Sequence, residues 1–313
     1  MLSLTTVVVT YNRKKLLYEN LKMQFCQTYQ PNHIVIIDND SKDGTYEFLK
    51  SKGIIDMDNV LYFNTGENIG GAGGFNYGIH KAYEIGDDLI CLMDDDGRPM
   101  DNQCFQKVVD IIPFTSSNDA LPIFVNSLVI ENDDDITFPF DGKISKVKDA
   151  LEKSQDGFLF GFGSPFNGTF INKKLIDIIG FPRADFFIRF DEYDYYLRAK
   201  RIKAYLGVAV YSKYYHPSTA DYQKKRFMGF TFVNSYEAPW KEYYKTRNLV
   251  VLNKDLGRPK IKLFFRNQLY LFGTHLFRIK NRKSLKKFIR KGYRDAMNNR
   301  MGKVVEPGQA KLK

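Results

Sequence analysis

Four short apolar runs, each followed by a polar cluster, punctuate the first hundred residues. Residues 4–9 (LTTVVV), 34–37 (IVII), 60–63 (VLYF) and 89–93 (LICLM) read as strands. Between them lie helix-like segments. Residues 13–25 repeat apolar side chains at Leu16, Leu17, Leu21 and Phe25. Residues 43–50 continue from the turn Ser41-Lys42-Asp43-Gly44, and 72–85 follow a glycine cluster. This β-α-β-α-β-α-β rhythm predicts an α/β domain with parallel strands and helices on both faces. In such sheets ligands bind beyond the carboxyl ends of the strands. The polar ends here are Thr10-Tyr11-Asn12, Asp38-Asn39-Asp40, 64–74 and Asp94-Asp95-Asp96, so the rhythm places all four on one edge.

The pattern is less regular further on. Residues 113–160 contain one apolar run, 121–130, then an acidic turn and a polar loop. A strand is expected at 168–171, helices at 173–179 and 191–201, and a strand at 204–211. His216 then leads into a polar loop, 217–239, and a helix-like stretch, 240–252. The expected organisation is a catalytic domain, 1–216, and a mainly helical region, 217–313. The domain itself divides into halves at 1–97 and 98–216.

Charge separates the same two regions. Residues 254–313 hold 18 Lys/Arg against 3 Asp/Glu, a net of +15, and the remainder holds 29 against 33, a net of −4; together these make the total of +11. A basic tail on a mildly acidic body points to a polyanionic partner, an anionic membrane or a nucleic acid. Within the tail, 282–297 reads as an amphipathic helix interrupted by Gly292, with Leu285, Phe288, Ile289 and Tyr293 set against a basic face, the pattern of a membrane-surface helix or of a helix packed on the body. The N-terminus lacks signal-peptide features, and no window has the length of a membrane span. Cys26, Cys91 and Cys104 are widely spaced and read as free thiols. The expected location is cytoplasmic, peripheral at the inner face of the plasma membrane.

The clusters carry the candidate chemistry. Three adjacent carboxylates at a strand end repel one another unless a positive group neutralises them. A hard divalent cation shared with a diphosphate would do so; an acidic turn is the plainer reading. Asn68-Ile69-Gly70-Gly71-Ala72-Gly73-Gly74 precedes a helix, where backbone N–H groups can face an anion, or else forms a tight turn. Asp38 is a turn residue or an acceptor facing a nucleobase. Asp191, Glu192 and Asp194 open a helix, as charge complementation or as a carboxylate base beside an acceptor hydroxyl. His216, 24 residues after Glu192, becomes a third metal ligand if a carboxylate-bound cation lies near.

Taken together, "TTVVVTYNR", "VIIDNDSKDGT", "NTGENIGGAGGFNYGI", "LMDDDG" and "FIRFDEYDYYLRA" resemble the family-2 inverting glycosyltransferases of the GT-A fold. The resemblance spans 4–216 and is greatest to bacterial galactofuranosyltransferases, with rhamnosyltransferases using dTDP-rhamnose next. It implies a mostly parallel, Rossmann-like sheet flanked by helices. It implies that Thr10, Tyr11, Asn12 and Arg13 border the nucleotide, that Asp38 faces the uracil, and that Asn68, Gly71 and Gly74 lie near the donor sugar and diphosphate. Asp94 and Asp96, around Asp95, would hold Mn²⁺ or Mg²⁺ with His216. The base would come from Asp191, Glu192 or Asp194. The family usually places it second in an acidic pair, which here is Glu192, a glutamate in that position being a departure. The partners implied are UDP-galactofuranose and a glycan acceptor of a surface polysaccharide; membrane attachment would suit a polyprenyl-diphosphate-linked one. The basic tail, 254–313, would meet an anionic membrane. Aromatics at Phe158, Phe160, Phe162 and Phe166 fit an acceptor wall or core. Two rival readings remain: a nucleic-acid binder using the tail, which leaves the acidic clusters unexplained and is not expected, and a non-catalytic nucleotide-sugar binder.

Overall fold

A computed structural model describes residues 2–113, 121–218, 223–234, 236–277, 279 and 281–312. The chain divides into two compact units, one of residues 1–183 and 192–218, the other of 184–191 and 219–313.

The first unit begins with the alternation read from the sequence: β1 (Leu4–Thr10), α1 (Lys14–Phe25), β2 (His33–Asp38), α2 (Thr45–Ser51), β3 (Val60–Asn64), α3 (Gly70–Ile85) and β4 (Leu89–Asp94). It continues through β5 (Arg98–Pro99), α4 (Cys104–Val109), β6 (Ile123–Ile130), β7 (Asp135–Phe140), β8 (Ile144–Lys146), α5 (Val147–Lys153) and β9 (Phe158–Phe160). Then come β10 (Thr169–Asn172), α6 (Lys173–Ile179), α7 (Asp191–Arg201) and β11 (Tyr205–Tyr215). The sheet order is β3-β2-β1-β4-β10-β6-β11-β5. The first four strands are parallel; β10 runs antiparallel to both β4 and β6, and β11 is parallel to β6.

Side-chain alternation explains why β1, β2 and β4 are apolar on both faces. Val8, Ile36 and Met93 pack with Leu17 and Leu21 of α1. Val7, Val9, Val35 and Ile37 pack with Phe75, Ile79 and Ala82 of α3. The register sets Thr10 beside Asp38, Asp38 beside Asn64, and Val9 beside Asp94. The polar strand ends therefore share one edge. Phe158 and Phe166 are core residues, whereas Phe160 is 53% exposed. The stretch 131–160, irregular in sequence, forms β7, β8, α5 and β9 around a small cluster of its own that includes Ile136, Phe140 and Leu159.

The second unit contains β12 (Gln223–Phe227), β13 (Phe230–Asn234), α8 (Pro239–Asp255), α9 (Lys260–Leu276) and α10 (Arg282–Met297). The polar loop expected at 217–239 therefore holds a hairpin; its first strand, QKKRF, is charged, so no apolar run marks it. One expectation for α10 is also corrected, and one of its two readings is selected. Gly292 does not interrupt the helix: a Cβ there would stand 2.5 Å from the Tyr243 carbonyl oxygen, so glycine lets α8 and α10 approach closely. The apolar stripe is not free for a membrane either. Leu285, Phe288 and Ile289 are buried against Leu271, Tyr243 and Tyr244, because that contact removes more apolar surface from water than the helix alone can. Among the described residues, no helix is long and apolar enough to cross a membrane.

Candidate active site

The acidic triplet sits where β4 ends, and each carboxylate has a different environment. Asp95 is buried: Thr10 Oγ1 donates to it at 2.8 Å, the Tyr11 N–H at 3.4 Å and Arg13 Nη1 at 3.0 Å. Burial pushes its carboxyl up to about 6, against the pull of Arg13 and Thr10. Asp96 accepts from Arg13 at 2.7 Å on one oxygen and faces His216 Nε2 at 3.3 Å on the other. Burial alone would raise it, but His216 and Arg13 hold it below the usual aspartate range. Asp94 is raised to about 7 by burial, by Asp96 and Asp95, and by the Glu192 carboxylate, with His216 opposing.

His216 follows β11 and is brought in by strand pairing: Tyr215 lies opposite Ile130 of β6, and the His216 N–H bonds to the Ile130 carbonyl at 3.1 Å. Its Nδ1 lies 2.9 Å from the Pro217 carbonyl, which leaves Nε2 for the cluster. Burial lowers its basicity, but Asp96 and Asp94 raise it further, to a net increase. One ligand atom each from Asp94, Asp96 and His216 lie within 4.8 Å of one another. Two carboxylate oxygens and one imidazole nitrogen, crowded with like charge, are a donor set that fits a divalent cation.

Several positioning residues escaped the sequence reading. Asn167, 1% exposed, donates to Asp94 Oδ2 at 3.3 Å. Asn20 on α1 donates to the Gly97 carbonyl at 2.7 Å; Gln24 donates to Asn20, and Thr6 to Gln24, both at 2.6 Å. This buried polar chain underpins the turn after the triplet. Its sequence signal was two polar residues, four apart, on the face of α1 that also buries Leu17 and Leu21. A Cβ on Gly97 would meet Tyr214 at 2.6 Å and Asn167 at 2.8 Å, so the Asp-Gly pair is required by packing.

The other expected residues spread along the edge. Asn12, in a left-handed conformation, links the β1 and β2 ends: its N–H bonds to Ser41 Oγ at 2.8 Å, and its Oδ1 accepts from Lys42 N–H at 2.6 Å. Asp38 accepts from the Ser41 N–H at 2.8 Å and from the Tyr62 hydroxyl, the partners of a turn-holding carboxylate. It also lines a cavity of about 640 Å³ with Lys42, Tyr46, Tyr62 and Asn64. Asn68 Oδ1 caps the Gly70 N–H at 2.9 Å. Gly71 is open: nothing lies within 4 Å of where its Cβ would be. Gly74 is buried beneath Val9, whose Cγ1 would be 2.5 Å from a Cβ; its absent side chain lets α3 sit close on β1.

At α7, Glu192 is half-buried and reaches the triplet electrostatically. Asp194 is buried and accepts from Arg198 Nε at 2.9 Å, an ion pair one helical turn along α7. Asp191 is buried at the helix start and falls with the second unit. In that unit, Phe187, Arg189 and Phe190 all have left-handed backbones (φ 66, 70 and 71), each costing about 1 kcal/mol or more. The α8 residues Arg247 and Asn248 hold this segment: Arg247 donates to the Asp185 and Phe186 carbonyls at 3.1 and 2.9 Å, and Asn248 to those of Ile188 and Arg189, both at 2.9 Å.

Comparison with known proteins adds three findings. Residues 5–127 match the family model described as glycosyl transferase family 2. The chain is 26% identical over 275 residues to the galactofuranosyltransferase GlfT1 of Mycolicibacterium smegmatis, covering 86% of this chain and 88% of that protein. Against GlfT1 of Mycobacterium tuberculosis it is 27% identical over 276 residues, covering 87% and 88%. Among solved structures it is similar to S. aureus TarS 1–349 (TM-score 0.53, 13% identity, covering 95% of this chain and 82% of that one). It is also similar to the mannosyltransferase PcManGT from Pyrobaculum calidifontis in complex with GDP-Man and Mn²⁺ (TM-score 0.52, 14% identity, covering 96% and 87%). At these identities the structural likeness is one of fold.

Proposed function

We propose that the protein, a glycosyltransferase of GT-A-like fold whose residues 5–127 match the glycosyl transferase family 2 model, transfers galactofuranose from UDP-galactofuranose to a hydroxyl of a growing surface glycan, with a divalent cation and inversion of configuration. The observation that carries this reading is the convergence of Asp94, Asp96 and His216 at the carboxyl ends of β4 and β11. The galactofuranosyl donor is supported by the two similar transferases named above, each matched over most of its length.

Asp94, Asp96 and His216 would hold Mn²⁺ or Mg²⁺; PcManGT, of the same fold, binds Mn²⁺ together with its nucleotide sugar. When bound, the cation supplies positive charge against the diphosphate as it departs. The chain's own groups act around it. Thr10 and Arg13 fix Asp95 and thereby the turn that presents its neighbours. Arg13, with its side chain half exposed, can also meet phosphate oxygens. The open Gly71 lies at the start of α3, where backbone N–H groups favour an anion. Glu192 takes the proton from the acceptor hydroxyl, which attacks the anomeric carbon from the face opposite the diphosphate. No covalent enzyme–sugar intermediate is required. The acceptor in this reading is a polyprenyl-diphosphate-linked glycan.

The test is a donor screen with Mn²⁺ by saturation-transfer NMR, comparing UDP-galactofuranose, UDP-galactopyranose, UDP-glucose and dTDP-rhamnose. Preference for UDP-galactofuranose is expected. Preference for dTDP-rhamnose would replace the donor and retain the fold.

A further inference from the structure

With the apolar stripe of α10 buried, the second unit still exposes another. On α9, Ile261, Phe264, Phe265, Leu269 and Phe272 are 59, 43, 59, 51 and 41% exposed. Their offsets of three, four, eight and eleven from Ile261 place them on one face of the helix, while Leu263, Asn267, Leu271 and Thr274 fill the opposite, buried face. The hairpin extends the patch: the Phe227 ring lies 5.8 Å from that of Phe272, and Met228 at the turn is 81% exposed. Five large apolar side chains aligned this way form a contiguous surface, unlike singly scattered exposed residues.

The charge around the patch identifies its occupant. Arg258, Lys260 and Lys262 are exposed at the start of α9, and Lys225 and Arg226 on the hairpin. No Asp or Glu occurs between positions 256 and 294. Two such surfaces would repel one another, which disfavours a second copy of this chain. An anionic lipid surface is attracted to the basic rim and accepts the apolar stripe. Leu269, at the rim, also lines a cavity of about 380 Å³ with Leu249, Val250, Leu263 and Phe277, a recess for an acyl chain.

We propose that α9 and the tip of the β12–β13 hairpin form a membrane-docking face, with α9 lying along the surface of an anionic bilayer and Phe265, Leu269 and Met228 inserted. The face lies in the second unit, outside the acidic cluster and the donor-binding edge.

Flotation of the full chain with vesicles tests it. Binding is expected to vesicles containing phosphatidylglycerol, to fall steeply with added salt, and to be weak with phosphatidylcholine alone. The double variant Phe265→Ser, Leu269→Ser should weaken binding to phosphatidylglycerol vesicles at least about tenfold, and Met228→Ser should weaken it further. UDP binding in vesicle-free solution reports whether the variant is folded and is independent of the lipid result. Unchanged flotation of the folded variant would overturn the proposal. So would sedimentation showing a wild-type dimer that the double variant converts to monomer, since the stripe would then be a self-interface.

Discussion

Arg13 Nη1 lies 2.7 Å from Oδ2 of Asp96, so the acidic cluster carries a cationic partner of its own. The same nitrogen bonds to Asp95 at 3.0 Å. On Asp96, Arg13 would compete with an added cation; in the proposed reading it would turn to a bound diphosphate. Arg13→Ala should therefore tighten Mn²⁺ binding in the absence of nucleotide and weaken UDP binding by about tenfold or more. Calorimetry with Mn²⁺ alone and then with UDP separates the two effects. Unchanged UDP affinity would restrict Arg13 to holding the turn.

The raised Asp94 carboxyl gives the metal-free protein a pH dependence of definite sign. Its folded value, about 7, lies above the ordinary aspartate value of 3.8, so the folded state binds the proton more tightly. Metal-free stability from this group therefore falls as pH rises between those values. His216, also raised, loses its contribution in the same direction as pH rises. Asp96 is lowered and opposes them only in acid, below the ordinary aspartate range. Protons and metal compete for Asp94, so the Tm increase produced by Mn²⁺ should be larger at about pH 8 than at about pH 6. Asp94→Asn should raise the metal-free Tm at neutral pH and abolish the Mn²⁺ increment. A Mn²⁺ increment independent of pH would remove Asp94 from the ligand set.

Asn167 orients Asp94 without touching solvent. Asn167→Ala should lower Mn²⁺ affinity by about 10–100-fold, as loss of groups that orient metal ligands does. UDP affinity measured without metal should be unchanged, and circular dichroism controls for folding. Equal loss of both affinities would reduce Asn167 to a packing role.

The carboxylates of α7 separate by their partners. Glu192→Gln should leave UDP and Mn²⁺ binding intact and lower transfer about a hundredfold or more. Asp194→Asn breaks the ion pair with Arg198 and should lower stability by about 1–3 kcal/mol, with activity lost only in proportion to folded protein. A fully active Glu192→Gln enzyme would move the base to Asp191 or Asp194.

Two glycines of α3 should respond in opposite ways. Gly74→Ala forces a methyl to 2.5 Å from Val9 and should destabilise the first unit by about 1–3 kcal/mol. Gly71→Ala meets no protein atom and should fold normally while weakening nucleotide-sugar binding. Denaturant midpoints and UDP titration distinguish them; full donor affinity in Gly71→Ala would remove the helix start from the site.

What could be read along the chain follows from local periodicity. The apolar pairs Val7/Val9 and Val8, Ile36 and Ile37, and the polar stops at Thr10, Asp38, Asn64 and Asp94 defined strands and their ends, because side-chain direction in a strand depends only on position parity. Charge counting marked the basic region for the same reason, as composition is independent of contacts. The hairpin at 223–234 gave no such signal, and α10 gave one that fitted two environments equally. Leu285, Phe288 and Ile289 make the same stripe whether the partner is a lipid or α8.

Only tertiary structure decided which. Strand pairing carries His216 across about 120 residues of chain to Asp96, buries Asn20 and Asn167 around the triplet, and turns Gly74 toward Val9. It also buries the stripe of α10 and leaves that of α9 exposed. A sequence specifies which side chains share a face of their own element, since that is fixed by backbone geometry within a few residues. Which surface meets that face depends on the free energy of burying whole elements together, and that sum runs over residues far apart in the chain.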